Sequence, residues 1–385
     1  MPTVAGTALS TASFLAFGAL LVLYGANSSE LLAAFEIDYA ELGLVGSMLS
    51  LGLGAGIVVA GPTVDRFPRK PLYVLACLLV LASAATLGPG SDYRALLIHT
   101  LAIGFGAGFY ETVLNAMIVE QFRERSPRRL VFIHAAATAA ASATPLFFEL
   151  ARTITTLAWY DTFRIVGLAH GALILAAVFV PMRRAGDTQS STAKVEASTP
   201  ASSQDRAALA AVCLATFAYV GVESALSLFV VDHAISSLEL EAVRAARTIS
   251  AFWGGLLIGR LAVGFASRSA GAGTTASLAA VAALVLLGFG AGWIGPPELA
   301  MALVGFFLGG VFPVMIGLAG IALPSSPGTA VGLAGGLGSL GGFVVPWVSG
   351  HVANQAGLPT ALSSLSLWLL LLVAAAGFAS TRRRT

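Results

Sequence analysis

The stretch Gly104-Phe-Gly-Ala-Gly108 recurs 201 positions later as Gly305-Phe-Phe-Leu-Gly309, and Pro145 recurs as Pro346 at the same distance. Both stretches lie within long apolar segments, so the two halves of the chain repeat one set of hydrophobic helices. A duplicated set of membrane helices whose members meet near the bilayer midplane is typical of secondary transporters. The repeat therefore predicts a polytopic membrane protein with two related helical bundles.

The composition points to the membrane independently of the repeat. Hydrophobic residues make up 57% of the 385 residues and charged residues only 10%, whereas soluble domains carry roughly 25% charged residues. A membrane-spanning helix needs about 20 mostly apolar residues. Twelve such stretches fit the chain, and we place spans 1 to 12 at residues 10–33, 41–63, 71–89, 94–120, 128–151, 160–182, 207–231, 242–266, 274–293, 298–323, 327–351 and 358–380.

A polar stretch separates the twelve predicted spans into two groups of six. It is rich in Ser, Thr and Ala with scattered charges, so it cannot bury enough apolar surface to fold alone. We expect an all-α integral membrane protein with an N-terminal six-helix bundle (residues 1–182), a cytoplasmic linker (183–206) and a C-terminal six-helix bundle (207–385). The linker is interpreted as a flexible tether, with a regulatory role as the alternative.

Basic residues fall mainly on one side of the predicted membrane. They are Arg66, Arg69, Lys70, Arg123, Arg125, Arg128, Arg129, Arg183, Arg184, Lys194, Arg206, Arg268, Arg382, Arg383 and Arg384. Acidic residues dominate the other side: Glu36, Asp38, Asp92, Asp161, Asp232, Glu239, Glu241 and Glu298. By the positive-inside rule the basic side is cytoplasmic, and an even number of spans places both termini there. We expect a bacterial-type inner membrane protein, whose net charge of +2 reflects topology and not nucleic-acid binding.

A loop motif, Gly61-Pro-Thr-Val-Asp65-Arg66-Phe-Pro-Arg69-Lys70, lies between predicted spans 2 and 3. It resembles the loop signature of the major facilitator superfamily, Gly-x-x-x-Asp-Arg-x-Gly-Arg-Arg/Lys, with a proline at the position of the second glycine. With twelve spans and two repeated halves, the resemblance covers essentially the whole chain. It implies the major facilitator fold, in which two pseudo-symmetric six-helix bundles work by alternating access.

We expect the residues that match the signature to form a conformational latch: Gly61, Asp65, Arg66, Arg69 and Lys70. An Asp at a helix end can cap the N-terminus of a neighbouring helix. Arg66 can pair with an acid at the end of span 4, where Glu120 and Glu124 lie. Such contacts would form only when the cytoplasmic side is closed. The alternative is a basic loop that only sets the topology.

Three carboxylates lie inside predicted spans: Glu30, Glu111 and Glu223. A charge at membrane depth costs at least ~3 kcal/mol on insertion scales, so each needs a partner, a proton or a water-filled cavity. Glu111 and Asn115 are four residues apart and therefore share one face of a helix. We predict that Glu111 couples transport to protons and that Asn115 beside it contacts the substrate. The alternative for Glu111 is a buried structural hydrogen bond.

The pattern of span 4, glycine-rich and then Glu-x-x-x-Asn, is similar to that of the fucose permease-like sugar–proton symporters. Spans 7, 8 and 10 add similar segments, which are Tyr219-Val-Gly-Val-Glu223-Ser224, Phe252-Trp-Gly-Gly-Leu-Leu-Ile-Gly-Arg260 and Gly309-Gly-Val-Phe-Pro313. The resemblance implies that an acid on span 1 and the glutamate on span 4 form the protonation and substrate-binding pair. Glu30 and Glu111 match these positions, and for Glu30 an exposed acid at a helix end is the alternative.

Further polar and aromatic residues of the spans are assigned to substrate binding: Asn115, Asn27, Tyr24, Glu223, His134 and Trp253. Amide and carboxyl groups hydrogen-bond solute hydroxyls, and aromatic rings can stack on a sugar ring. Packing within the bundle is the alternative for each aromatic residue, for His134 and for Glu223. Arg260 in span 8 is interpreted as a structural or gating residue, with substrate contact as the alternative.

Several classes of protein are excluded by the sequence. It contains no G-x-x-x-x-G-K-[ST] motif, which excludes ATP-driven pumping. It contains no His/Cys/Asp cluster with metal-site spacing and no nucleophile–base pattern. We therefore expect no metal, no cofactor and no enzymatic activity, and a monomer whose partners are a small solute, protons and membrane lipid.

The predicted function is proton-coupled transport of a small polar solute, with a sugar favoured. Every glutamine lies outside the centres of the spans, which counts against a sugar because sugar sites usually offer several amides. Two alternatives stay open. One is a proton-driven exporter of a drug-like or amphiphilic compound, and the other is a transporter-like sensor that does not transport.

Overall fold

A computed structural model of the chain describes residues 4–122, 126–182, 203–266, 271–323 and 327–381. Over these ranges the chain forms fourteen α-helices and no β-strand. The helices are α1 (Val4–Ala26), α2 (Ser28–Phe35), α3 (Tyr39–Arg66), α4 (Arg69–Thr86), α5 (Tyr93–Phe122), α6 (Ser126–Ile154), α7 (Trp159–Phe179), α8 (Ser203–Ser236), α9 (Ala242–Ala266), α10 (Ala272–Gly290), α11 (Pro297–Leu308), α12 (Val311–Ala322), α13 (Pro327–Ala356) and α14 (Leu358–Thr381).

Twelve helical stretches are long and apolar enough to cross a membrane. The short helix α2 is not among them, and α11 and α12 together form one stretch, Pro297–Ala322. The predicted all-α membrane fold is therefore confirmed, and eleven of the twelve stretches lie within a few residues of their predicted positions. Residues 183–202 of the predicted linker lie outside the described ranges, and α8 begins at Ser203.

The first stretch differs from its prediction because the helix is broken at Asn27. There φ is −109° and ψ is 17°, so α1 ends at Ala26 and α2 begins at Ser28. Asn and Ser favour such helix boundaries, since their side chains compete for backbone hydrogen bonds. Hydropathy alone extended span 1 to residue 33, because α2 is itself apolar and follows the break without a polar loop.

The helix α3 begins behind a reciprocal cap formed by Asp38 and Glu41. The backbone N–H of Glu41 donates to Asp38 Oδ1 at 2.9 Å, and the backbone N–H of Asp38 donates to Glu41 Oε2 at 3.0 Å. This pairing satisfies two of the backbone donors that a helix start leaves unpaired. The hydrogen bond from Glu41, helped by the side chain of Asn354, holds the pKa of Asp38 below its usual value.

Helix contacts divide the chain into two compact units. One comprises Met1–Tyr24 and Met48–Lys194, and the other comprises Gly25–Ser47 and Val195–Thr385. In the first unit α4 packs against α5 and α7, and in the second α8 packs against α13 and α14 while α9 packs against α11. The segment 25–47, which contains α2 and the start of α3, thus packs with α8 and its neighbours.

One close helix crossing occurs in both units. In the first unit, a methyl group on Gly104 of α5 would clash with the backbone carbonyl of Leu49 on α3. In the second, a methyl group on Gly305 of α11 would clash in the same way with the carbonyl of Phe252 on α9. Small residues allow helices to approach closely in a membrane. The glycine repeat in the sequence therefore corresponds to a repeated helix–helix contact.

Candidate functional site

In the first unit, the predicted coupling residue Glu111 lies beside Asn115 on α5. The two side chains are half-buried, and the amide of Asn115 donates a hydrogen bond to the carboxyl group of Glu111. The carbonyl oxygen of the same amide is buried and has no hydrogen-bond partner within the described residues. A buried acceptor without a partner normally binds a donor from water or from a ligand. The pair thus offers a carboxyl group and an adjacent amide acceptor.

Tyr24, predicted to bind substrate, lies in an aromatic cluster of the first unit. Its ring centroid is 5.0 Å from that of Phe163 and 6.1 Å from that of His99, and the residue is only 2% exposed. Tilted and edge-to-face rings at these distances are a stable packing arrangement. In this conformation the ring of Tyr24 is enclosed by protein, as the packing alternative expects.

His134 and Trp253, two further candidates, lie in different units. The ring of half-buried His134 on α6 is 4.7 Å from the ring of Phe14 in an edge-to-face contact. Trp253 on α9 is buried, 6.0 Å from the ring of Phe252, and its Nε1 donor has no partner among the described residues. Of the two, Trp253 is the one that presents an unsatisfied polar group.

In the second unit, Glu223 belongs to a cluster with Tyr219 and Arg260. The hydroxyl of Tyr219 donates a hydrogen bond to the carboxylate of Glu223 one turn along α8. Arg260 on α9 interacts electrostatically with both side chains. The cationic and anionic groups of the cluster therefore balance each other, which is how ionisable residues are tolerated within membrane spans.

Arg260 also binds the backbone where α11 gives way to α12. Its Nε donates a 3.3 Å hydrogen bond to the carbonyl oxygen of Gly309. In a continuous helix that carbonyl would accept from the residue four positions on, which is Pro313 and has no N–H. The guanidinium group replaces the missing donor, so Arg260 stabilises the junction of α11 and α12 in this conformation. The contact between Arg260 and span 10 was not predicted. The signal for it in the sequence is the Gly-Gly-x-x-Pro pattern of span 10, in which the proline leaves a backbone carbonyl without its donor.

The segment 25–47 brings Asn27 and Glu30 into the second unit. Asn27 is 1% exposed at the break between α1 and α2, and Glu30 is half-buried on α2. The neighbouring Ser29 donates a 2.6 Å hydrogen bond to Oδ1 of Asp232 on α8. Tyr39 donates a 3.0 Å hydrogen bond to the other oxygen of the same carboxylate. Glu30 is therefore next in sequence to Ser29, whose hydrogen bond connects α2 to α8.

Asp232 was missed as a site residue because it was placed just beyond the end of span 7. It is 4% exposed, and α8 continues past it to Ser236. Two of its hydrogen-bond donors, Ser29 and Tyr39, lie about 200 positions away in the sequence, so no local motif indicates their contact. The backbone N–H of Tyr39 adds a 3.0 Å hydrogen bond to Oδ1 of Asn354 on α13. Together these bonds form a clasp, which we define as Ser29, Tyr39, Asp232 and Asn354.

The predicted latch residues divide into exposed and buried groups. Gly61, Asp65 and Arg66 are exposed near the end of α3. Arg69 is 2% exposed and forms an ion pair with Glu120 on α5. Lys70 donates a 2.9 Å hydrogen bond to the backbone carbonyl of Val178.

Glu120 is thus paired with Arg69, whereas the sequence suggested Arg66 as its partner. The second suggested acid, Glu124, lies outside the described residues. Arg69 and Lys70 join α4 to other helices of the first unit. The side chains of Asp65 and Arg66 are exposed, so a conformational change could bring them into new contacts without breaking those two.

Twelve membrane-spanning stretches, a helix crossing repeated in two units and ionisable residues within the spans together define a polytopic membrane transporter. The chain belongs to the Major Facilitator Superfamily, whose family model matches residues 9–346. It is an integral membrane protein and a transporter, and it is not an enzyme.

Known proteins resemble the chain over nearly its full length. The glucose/mannose transporter of Bacillus subtilis (strain 168) is 21% identical over 384 residues, which cover 97% of this chain and 94% of that protein. The solved D-xylose–proton symporter has a TM-score of 0.80 at 15% identity and covers 97% of this chain and 96% of its own. The solved fucose:proton symporter of E. coli has a TM-score of 0.65 at 19% identity and covers 98% of both chains. At these identities the structural likeness establishes the fold alone.

Proposed function

We propose that the protein transports a sugar by proton-coupled alternating access, with Glu111 as the coupling carboxylate and Asn115 as a substrate contact. The observation that carries the proposal is the half-buried Glu111–Asn115 pair on α5, whose amide oxygen has no partner in the described part of the chain. The similarity to a glucose/mannose transporter supports a sugar as the solute.

Coupling at Glu111 would depend on the charge of its carboxyl group. An ionised carboxyl group within a span is costly, and a bound proton removes that cost. Protonation of Glu111 would therefore lower the free-energy cost of moving α5 during the conformational change. A sugar hydroxyl that donates to the amide oxygen of Asn115 would complete the hydrogen bonding of the pair. Proton and solute would then be bound by adjacent groups.

The polar groups of the second unit favour an uncharged solute. The charge of Arg260 is balanced by Glu223, and Tyr219 donates its hydroxyl to the same carboxylate. A balanced cluster offers no excess charge to an anionic or cationic solute, whereas the unsatisfied Nε1 of Trp253 offers a neutral donor. Both features suit a polyhydroxylated neutral molecule.

The proposal is tested by transport in proteoliposomes that contain the purified protein. Uptake of radiolabelled glucose, mannose, galactose, xylose and fucose is measured with and without an imposed pH gradient, acidic outside. We expect at least one sugar to accumulate above its external concentration only when the gradient is present. Uptake that equilibrates identically with and without the gradient would contradict proton coupling, and no uptake or counterflow of any sugar would contradict the solute class.

A further inference from the structure

An apolar groove runs along the second unit between α8 and α13. Its volume is about 490 Å³, within the range of roughly 300–1,000 Å³ that ligand pockets occupy. The residues of α8 that line it include Arg206, Leu209, Cys213 and Phe217, and α13 contributes Leu333 and Leu337. Among the described residues that line the groove, Arg206 is the only charged one.

The spacing of the lining residues gives the groove a direction and a depth. On α8 they recur every three or four positions, so they share one helix face. Arg206 lies at the start of the membrane-spanning stretch Asp205–Ser236, and Phe217 lies eleven residues further along. At 1.5 Å per residue this is about 16 Å, close to half of the roughly 30 Å hydrocarbon thickness of a bilayer. The lining face of α8 is therefore about as long as one leaflet is thick.

Among the described residues, several of those that line the groove remain partly exposed. Leu214, which lines it on α8, is 42% exposed, and Leu333 and Leu337 on α13 are 49% and 37% exposed. Arg206 is exposed at the end where the spanning stretch begins. An exposed cation at one end of an apolar slot about as long as one leaflet is thick is complementary to a molecule with a negative headgroup and a long acyl chain.

We propose that this groove binds an anionic phospholipid, with the phosphate group at Arg206 and an acyl chain along α8 and α13. This lipid site is independent of the proposed function. The lipid would fill the slot between two helices that pack against each other in the second unit.

Native mass spectrometry of the purified protein with equal amounts of phosphatidylglycerol and phosphatidylcholine tests the proposal. We expect the wild-type protein to retain phosphatidylglycerol in excess, and Arg206→Ala to reduce that excess roughly fivefold, as expected for one basic residue at the membrane surface. Arg206→Lys, which keeps the charge, should retain it. The matched control is Arg129→Ala, which removes an exposed arginine that packs over Phe122 and lies outside the groove.

A second readout uses Cys213, one of only two cysteines in the chain. In a Cys77→Ala background, phosphatidylglycerol should slow alkylation of Cys213 by N-ethylmaleimide, and Arg206→Ala should abolish the protection. Leu337→Trp, which fills the groove, should reduce retention of both lipids. Equal retention of the two lipids by the wild-type protein, or the same excess in Arg206→Ala, would overturn the proposal.

Discussion

Ser29 donates a 2.6 Å hydrogen bond to the carboxylate of Asp232, although the two residues are 203 positions apart in the sequence. Tyr39 donates to the second oxygen of the same carboxylate. Since Asp232 is 4% exposed, both bonds are partly shielded from water, and hydrogen bonds to a charged group contribute about 1.5–3 kcal/mol each. The clasp therefore holds α2 and the start of α3 against α8.

Asp232→Ala should loosen this clasp and expose the neighbouring residue Ser28, which is fully buried. In a background without native cysteines, a Ser28→Cys reporter should react several-fold faster with a thiol reagent when Asp232 is replaced. Glu239→Asn is the control, since it removes an exposed acid at a positive φ that Asn tolerates. An unchanged labelling rate in the Asp232 variant would show that the clasp does not hold the segment closed.

The loop motif should divide into one conformational residue and one structural residue. Asp65→Asn should shift the population toward the inward-open form, because it alters a latch residue whose contacts form only when the cytoplasmic side is closed. The melting temperature should change little, since Asp65 is exposed. Arg69→Ala should destabilise the fold by roughly 2–3 kcal/mol, less than the roughly 3–5 kcal/mol of a fully buried pair because Glu120 is 36% exposed. Spin-label distances and thermal melts measure the two effects. Equal melting temperatures for Arg69→Ala and wild type would refute the division.

Glu111→Gln should abolish accumulation against a gradient while leaving counterflow partly intact. Glutamine keeps the hydrogen-bonding shape beside Asn115 but cannot exchange a proton, so the pH dependence of uptake should also flatten. Uptake and counterflow in proteoliposomes across a pH series measure both effects. Glu241→Gln, which neutralises an exposed acid outside the spans, should behave as the wild type. If Glu111→Gln still accumulates solute with normal pH dependence, the coupling site is Glu30 or Glu223.

Arg260 and Glu223 should show strongly non-additive effects on stability. Arg260→Leu leaves a carboxylate without its countercharge and the carbonyl of Gly309 without its donor, whereas the added change Glu223→Gln removes the uncompensated charge. The double variant should therefore be more stable than Arg260→Leu, with a coupling energy of about 1–3 kcal/mol. Melting temperatures of the two single variants and the double variant measure the coupling. If the effects of the two single substitutions simply add, Arg260 and Glu223 do not stabilise each other.

Gly305→Ala should destabilise the second unit because its new methyl group clashes with the carbonyl of Phe252. Overpacking of this kind costs about 1–3 kcal/mol. Gly317→Ala on α12 is the matched control, since a methyl group there meets no atom within 4 Å and alanine favours the helix. Unfolding in detergent should separate the two variants, and Gly104→Ala should reproduce the effect in the first unit. Equal stability of the Gly305 and Gly317 variants would contradict the close crossing.

Much of the fold could be predicted because membrane spans are determined locally. Length and hydropathy located eleven of twelve spans within a few residues. The glycine repeat predicted two related bundles, and the structure adds a close helix crossing at both Gly104 and Gly305. The prediction was less accurate at Asn27, where a single non-helical residue divides an apolar run. The Glu111–Asn115 pair could also be predicted, since residues four apart on a helix are neighbours whatever the tertiary structure.

The sequence by itself determined the twelve spans, their repetition and the presence of carboxylates at membrane depth, because each depends on residues close together in the chain. Only the tertiary structure decided which groups satisfy those charges and carbonyls. It paired Arg69 with Glu120, Arg260 with the carbonyl of Gly309, and Ser29 with Asp232. The physical reason is that an apolar helix can pack against several others, and a polar partner is known only when the packing brings two particular faces together.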